Sequence, residues 1–235
     1  MTERTEGLIL RCRRFSETSL VVHWLTADLG RIATAAKGAN RPKSPFRGKL
    51  DLFYLADFSF SRSRRSDLHT LREVSLRETH PAIRRDLGRL QQAAYCSKLV
   101  EQATEMETPL PTVFQLLRGL LETLGAAPAQ PATVFAFELK LLGELGLTPD
   151  LSKSRLSTGV RKLAEVLCES AWGAVSNVRL SQTQTEELRR FLHGFLIFHL
   201  GRIPSGRHLA LGCEPAEADA TPASREAPAS SPPEN

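Results

Sequence analysis

Paired cysteines are missing from this chain. Cys12, Cys96, Cys168 and Cys213 stand far apart with no CxxC among them. That spacing argues against a disulfide-stapled scaffold and points to a reducing cytosol. Long apolar runs are missing too. No stretch approaches the ~20 residues that a membrane span needs, and the N-terminus is polar through Glu6 with no signal-peptide core behind it. There is no Walker P-loop, no GxGxxG and no HExxH, so nucleotide hydrolysis and zinc-protease chemistry have no anchor. No internal repeat at solenoid period is present either.

What the chain does have is length enough for a buried core and an uneven charge. Its 235 residues are 41% hydrophobic and carry a formal net charge of +5. Residues 1–80 hold 15 basic and 9 acidic side chains, residues 81–210 hold 15 and 12, and residues 211–235 hold 1 and 5. The positive surplus is therefore front-loaded, which is a statement about partners and solubility, not fold.

The front region reads as five short strands. Leu8, Leu10 and Cys12 alternate with Ile9, Arg11 and Arg13; Leu20–Thr26 is β-branched and aromatic; Arg31–Lys37 follows the turn at Gly30. Leu50, Leu52, Tyr54, Ala56, Phe58 and Phe60 alternate along a long fourth strand. Along the fifth, Leu68–Arg77, apolar parity slips between Leu71 and Val74, which suits a β-bulge. Five antiparallel strands in 80 residues predict an OB-fold barrel, residues 1–80.

After Pro81 the period becomes helical. A first stripe runs Ile83, Leu87, Leu90, Ala94 to Ala103, and further helices are predicted over 111–124 with Gly125 as C-cap, 131–145 and 158–169. The last follows a Thr183–Glu186 capping-box spacing. The predicted class is α+β: a five-stranded barrel, an all-helical domain over 81–211, and a disordered acidic Pro/Ala/Ser/Glu tail over 212–235.

No catalytic constellation emerges. His193 and His199 are six apart and do not share a helix face. Cys12 and Cys168 read as small core residues. Asp51 and Asp57 share a face of the fourth strand, but a metal nuclease needs more convergent acids. The basic clusters are the candidate site. Lys37, Arg41, Lys43, Arg47 and Lys49 occupy a Pro- and Gly-containing loop without an acid, with Phe46 interleaved. Arg62, Arg64 and Arg65 form a second cluster, and Arg11, Arg13 and Arg14 a third. A loop after strand three and a turn between strands four and five can flank one open barrel face. Fixed cations there would displace condensed counterions from nucleic acid, and Phe46, Tyr54 or Phe53 would offer a stacking surface.

Phe15-Ser16-Glu17-Thr18-Ser19-Leu20, Leu25-Thr26, Gly30-Arg31 and Ala36-Lys37-Gly38-Ala39, then Phe137 to Gly146, resemble the RecO family of bacterial recombination mediators. The resemblance implies a protein that binds single- and double-stranded DNA, anneals complementary strands and loads recombinase on DNA coated with single-strand binding protein (SSB). It implies RecR, SSB and, indirectly, the RecA filament as partners, a cytoplasmic, nucleoid-associated location, and no cofactor or bond-breaking activity. Two departures stand out. Relatives often carry paired cysteines after the Leu-Gly segment, whereas Leu147–Arg155 has none, so a metal-free variant is expected. Relatives often place Arg before the Phe-Glu-Leu. Ala136 stands there instead, leaving Lys140 as the candidate contact for the acidic SSB tail. An RNA-binding OB module of translation or RNA processing is the alternative.

Overall fold

The computed structural model describes residues 2–212; the tail expected to be disordered lies, beyond Gly212, outside them. Five strands come first: β1 (Thr2–Arg14), β2 (Leu20–Thr26), β3 (Gly30–Ala36), β4 (Leu55–Ser61) and β5 (Leu68–Glu78). They close in the order β1-β2-β3-β5-β4, with antiparallel pairs except β3 with β5, which run parallel. That closure is the OB-fold topology and leaves no sheet edge free.

Alternation puts Ile9, Val22, Trp24, Ile32, Phe58, Phe60 and Val74 inside the barrel. The Trp24 and Phe58 rings stack at 4.0 Å, and Trp24 Nε1 donates to Thr34 Oγ1 at 2.8 Å, so the indole is buried with its one donor satisfied. The expected bulge in β5 is present. Ser59 faces Glu73 and Phe60 faces Leu71, so Arg72 is the extra residue. The fourth strand is shorter than its alternation predicts. Phe53 takes φ 66°, its N–H donates to Ile9 O, and Ile9 N–H donates to Tyr54 O, so residues 50–54 form an irregular crossing. Phe53, and not its neighbours Leu52 and Tyr54, is the buried residue there.

The helices follow: α1 (Pro81–Arg84), α2 (Leu87–Ala103), α3 (Pro111–Ala126), α4 (Pro131–Glu144), a 3₁₀ turn at Leu151–Lys153, α5 (Thr158–Glu169), α6 (Trp172–Val175), α7 (Gln182–Leu200) and α8 (Arg207–Ala210). The first predicted stripe is two helices. Asp86 interrupts it and caps α2 by accepting from Arg89 N–H, which leaves Leu87 69% exposed and off the core face. Gly125 lies inside α3, whose cap is Ala127. The capping box of α7 is Ser181 with Gln184, two residues earlier than predicted. Glu186 instead pairs with Arg189 and Arg190, which hold its carboxyl down to about 2.

One outer barrel wall is part of the helical core. Leu8, Leu10, Leu25, Phe53 and Leu55 pack in the same buried cluster as Tyr95, Leu99, Phe114 and Leu121. The seam is also pinned by polar contacts. Glu107 N–H donates to Arg31 O at 2.8 Å, Arg31 donates to the Thr104 carbonyl, and Arg11 pairs with Glu101 at 3.3 Å. Gly30 sits at φ +69° where a Cβ would meet Thr108 O at 2.1 Å, so only glycine fits.

A buried ion pair holds the far end. Glu138, in the Phe-Glu-Leu segment of α4, accepts two bonds from Arg207 of α8, at 2.6 and 2.8 Å, and one from Tyr95 of α2 at 2.5 Å. Arg207 also donates to Arg189 O of α7. Burial opposes the guanidinium's charge, but the carboxylate beside it raises its pKa. Glu138 and Arg207 together therefore tie four helices, a role that alternation and helical period do not reveal.

Candidate functional site

The barrel's loops hold the basic clusters, and the structure sorts them by what their charges already do. Arg62 is committed. It meets Glu3 at 2.8 Å and Glu107 at 2.7 Å, and those carboxylates hold its pKa above the ordinary value. Arg11 is likewise occupied by Glu101. Among the described residues, Arg13, Arg14, Lys37, Arg41, Lys43, Arg47, Lys49, Arg64 and Arg65 make no ion pair, and all except the half-buried Lys49 are exposed. Fixed, unneutralised cations of this kind attract phosphates.

The loop over 37–49 is built as a scaffold for its charges. Phe46 is 6% exposed and packs with Ile9, Phe58 and Val74, so it closes the barrel and cannot stack on a base. Successive turns, Arg41 N–H to Gly38 O, Ser44 N–H to Arg41 O and Lys49 N–H to Phe46 O, shape the segment around that plug. Arg47 donates to Pro42 O, and Pro42 and Pro45 stiffen the backbone. The other expected stacking residues are also used up. Phe53 is buried, and Tyr54 lies under the Arg84 guanidinium at 4.9 Å.

The loop joins the β1–β2 turn, not the β4–β5 turn. Asn40 N–H donates to Thr18 O, its side chain donates to Glu17 O, and Gly38 N–H donates to Ser19 Oγ. The β1–β2 and β4–β5 turns, in their own right, flank a cleft of about 400 Å³ lined by Arg13, Arg14, Phe15, Val21, His23, Ala33, Asp67 and Leu68. No side chain of the 37–49 loop lines it. Phe15 is 62% exposed and is the aromatic residue that sequence reasoning missed at this surface. The signal available was its position, directly after Arg13 and Arg14 where the alternation of β1 ends. His23 sits between Arg11, Arg13 and Arg31. Burial first, then those three charges, push its pKa down to about 4, so its ring is neutral at neutral pH.

The remaining candidates lie away from the basic loops. Asp51 lies outside β4 and pairs with Arg84 at 2.8 Å, while Asp57 pairs with Arg77 at 2.6 Å, so the two do not form a carboxylate pair. Burial pushes the Cys12 thiol up to about 12. Ala136 is fully buried. Lys140 donates to Cys168 O at 2.6 Å at the end of α5 and lines a cleft with Leu116, Trp172, Glu144 and Glu169. Among the described residues it is the single cation lining that cleft.

Comparison with known proteins places these surfaces in a context. Residues 1–80 match the family model described as Recombination protein O N terminal, and residues 84–156 match Recombination protein O C terminal. The chain is 36% identical over 145 residues to the DNA repair protein RecO of Anaeromyxobacter sp. (strain K), covering 62% of this chain and 57% of that one. It is 32% identical over 152 residues to the same-named protein of Bacillus subtilis (strain 168), covering 65% and 59%. Against that of Anaeromyxobacter sp. (strain Fw109-5) it is 32% identical over 186 residues, covering 78% and 68%. The first of these matches thus spans little more than half of the relative's length.

Proposed function

The chain belongs to the recombination protein O family, and on that premise we propose that it is a DNA-repair mediator which binds DNA through the loops of its barrel. The observation that carries this reading is the set of unpaired cations at the end of β1, on the 37–49 loop and on the β4–β5 turn. On a neutral-pH surface these charges have one strong class of partner, a polyanion whose condensed counterions they release. Residues 1–80 are the nucleic-acid-binding unit in this reading, and residues 81–211 the helical unit that supports it.

The protein acts by binding and makes or breaks no covalent bond. Cations on a stiffened loop screen the repulsion between two complementary strands, which is what annealing requires. Binding without sequence preference follows, because phosphates carry no sequence information. Single and double strands are both ligands, and RecR, SSB and, indirectly, the RecA filament are the protein partners. Any contact with the acidic SSB tail at the α4–α6 cleft rests on Lys140 alone.

The test is strand annealing of complementary oligonucleotides coated with SSB, with and without the protein. Annealing accelerated by the protein, and DNA binding that outcompetes RNA of the same sequence, support the reading. No acceleration, or a preference for RNA, overturns it.

A further inference from the structure

The cleft between the β1–β2 and β4–β5 turns has a character that phosphate binding does not explain. Its floor is apolar: Val21, Ala33 and Leu68 lie on neighbouring strands, β2, β3 and β5, with Arg13 opposite Val21 and His23 opposite Ala33 across their ladders. Phe15 stands at its mouth, mostly in solvent, on a turn held by Phe15 N–H and Ser16 N–H donating to Ser19 O. An exposed phenyl ring on a five-residue connection loses apolar burial and gains nothing within the protein. Arg13 and Arg14 flank it, and Arg64 and Arg65 of the opposite turn make no ion pair.

We propose that this cleft is a pocket for an unpaired nucleobase, stacked on Phe15, with the adjoining phosphates held by Arg13 and Arg14 on one rim and Arg64 and Arg65 on the other. The chemistry fits one occupant. An aromatic face next to guanidinium groups suits a flat heterocycle joined to phosphates, and every base has a π-face to offer. A paired base has both faces covered by its neighbours and cannot enter. His23 is neutral there, and Asp67, the single acid of the lining among the described residues, is outnumbered by Arg13 and Arg14. The 37–49 loop then serves phosphates of either single or double strands, while this cleft distinguishes single strands by their bases.

The inference rests on the DNA-binding reading above, and the experiment separates the two. The probes are a single-stranded oligonucleotide, an abasic oligonucleotide of equal length and charge, and a duplex. The parent protein should bind the base-bearing strand about tenfold more tightly than the abasic one, within the range that stacking of a base supplies. Phe15→Ala should lose that preference, bind both strands as the parent binds the abasic one, and keep its duplex affinity. Phe15→Trp should restore the preference. Quenching of a 2-aminopurine base in the strand should follow the same order. Because Phe15 is exposed, its truncation leaves the core intact, which a thermal melt verifies. Equal binding of base-bearing and abasic strands by the parent, or an undiminished preference in Phe15→Ala, overturns the pocket and leaves the DNA-binding reading standing. No binding of any of the three probes overturns both.

Discussion

Replacing Arg41, Lys43 and Arg47 together by Glu tests the 37–49 loop directly. None of the three makes an ion pair, and all three are exposed, so the loss is confined to whatever they attract. Each phosphate contact contributes about 0.7 to the slope of log K against log salt for single strands, so removing three lowers its magnitude by about 2. If parent and variant converge near 1 M salt, affinity at 0.1 M then falls by about a hundredfold. Introduced repulsion pushes the loss further. Folding survives, because Phe46 stays in place and surface changes away from caps and cores cost within about ±0.5 kcal/mol each. The assay is fluorescence anisotropy with a labelled single strand across a salt series, with a thermal melt as the control. Parallel salt lines and equal affinity in a folded variant would refute the assignment of this loop to DNA.

Four further outcomes follow from the structure. Arg207→Ala leaves Glu138 buried without its bidentate partner, so unfolding free energy falls by about 3–5 kcal/mol; replacing Glu138 and Arg207 together by Leu and Met restores part of it, the buried Tyr95 hydroxyl then lacking its acceptor, and a denaturant titration that shows less than ~1 kcal/mol for the single change would sink this account. Gly30→Ala forces a Cβ against Thr108 at positive φ and lowers the melting temperature, while Gly146→Ala, with open space around it, costs less; equal losses would remove the seam from the explanation. His23, held near 4 in the fold against an ordinary 6.5, takes up a proton more readily when unfolded, so its contribution is complete above about pH 6.5 and is lost as pH falls towards 4. His23→Gln should lessen the pH dependence of stability across that window, where His80, also lowered by burial, and at its acid end Glu186 keep contributing, and an unchanged slope would count against the assignment. Metal analysis of the purified chain should give less than one zinc per chain, and chelator should leave the melt unchanged; a tightly held zinc would contradict the reading of Leu147–Arg155.

Much of this protein is dictated locally. The period of two through Leu8–Arg13 and Leu20–Thr26, the change to a helical period after Pro81, and the slipped parity in β5 each arise from where one strand or helix must bury its apolar side, and they appear in the structure as strands, helices and a bulge. The surplus of cations in residues 1–80 is likewise a property of the chain alone. Tertiary structure decided which of those residues are available. Phe46 looks like a stacking residue beside its basic neighbours, yet it fills the barrel, because a closed barrel needs a plug and the 37–49 loop is the segment that crosses its end. Phe15 looks like any strand-end aromatic, yet it is left in solvent at the mouth of a cleft. Arg62 is neutralised by Glu3 of β1 and by Glu107, and Arg11 by Glu101, and both Glu107 and Glu101 lie outside the barrel's own segment, in the helical part of the chain. Glu138 finds Arg207 across 69 residues. Period and composition report what each residue does to its sequence neighbours. Burial, ion pairing and exposure depend on residues that only folding brings near.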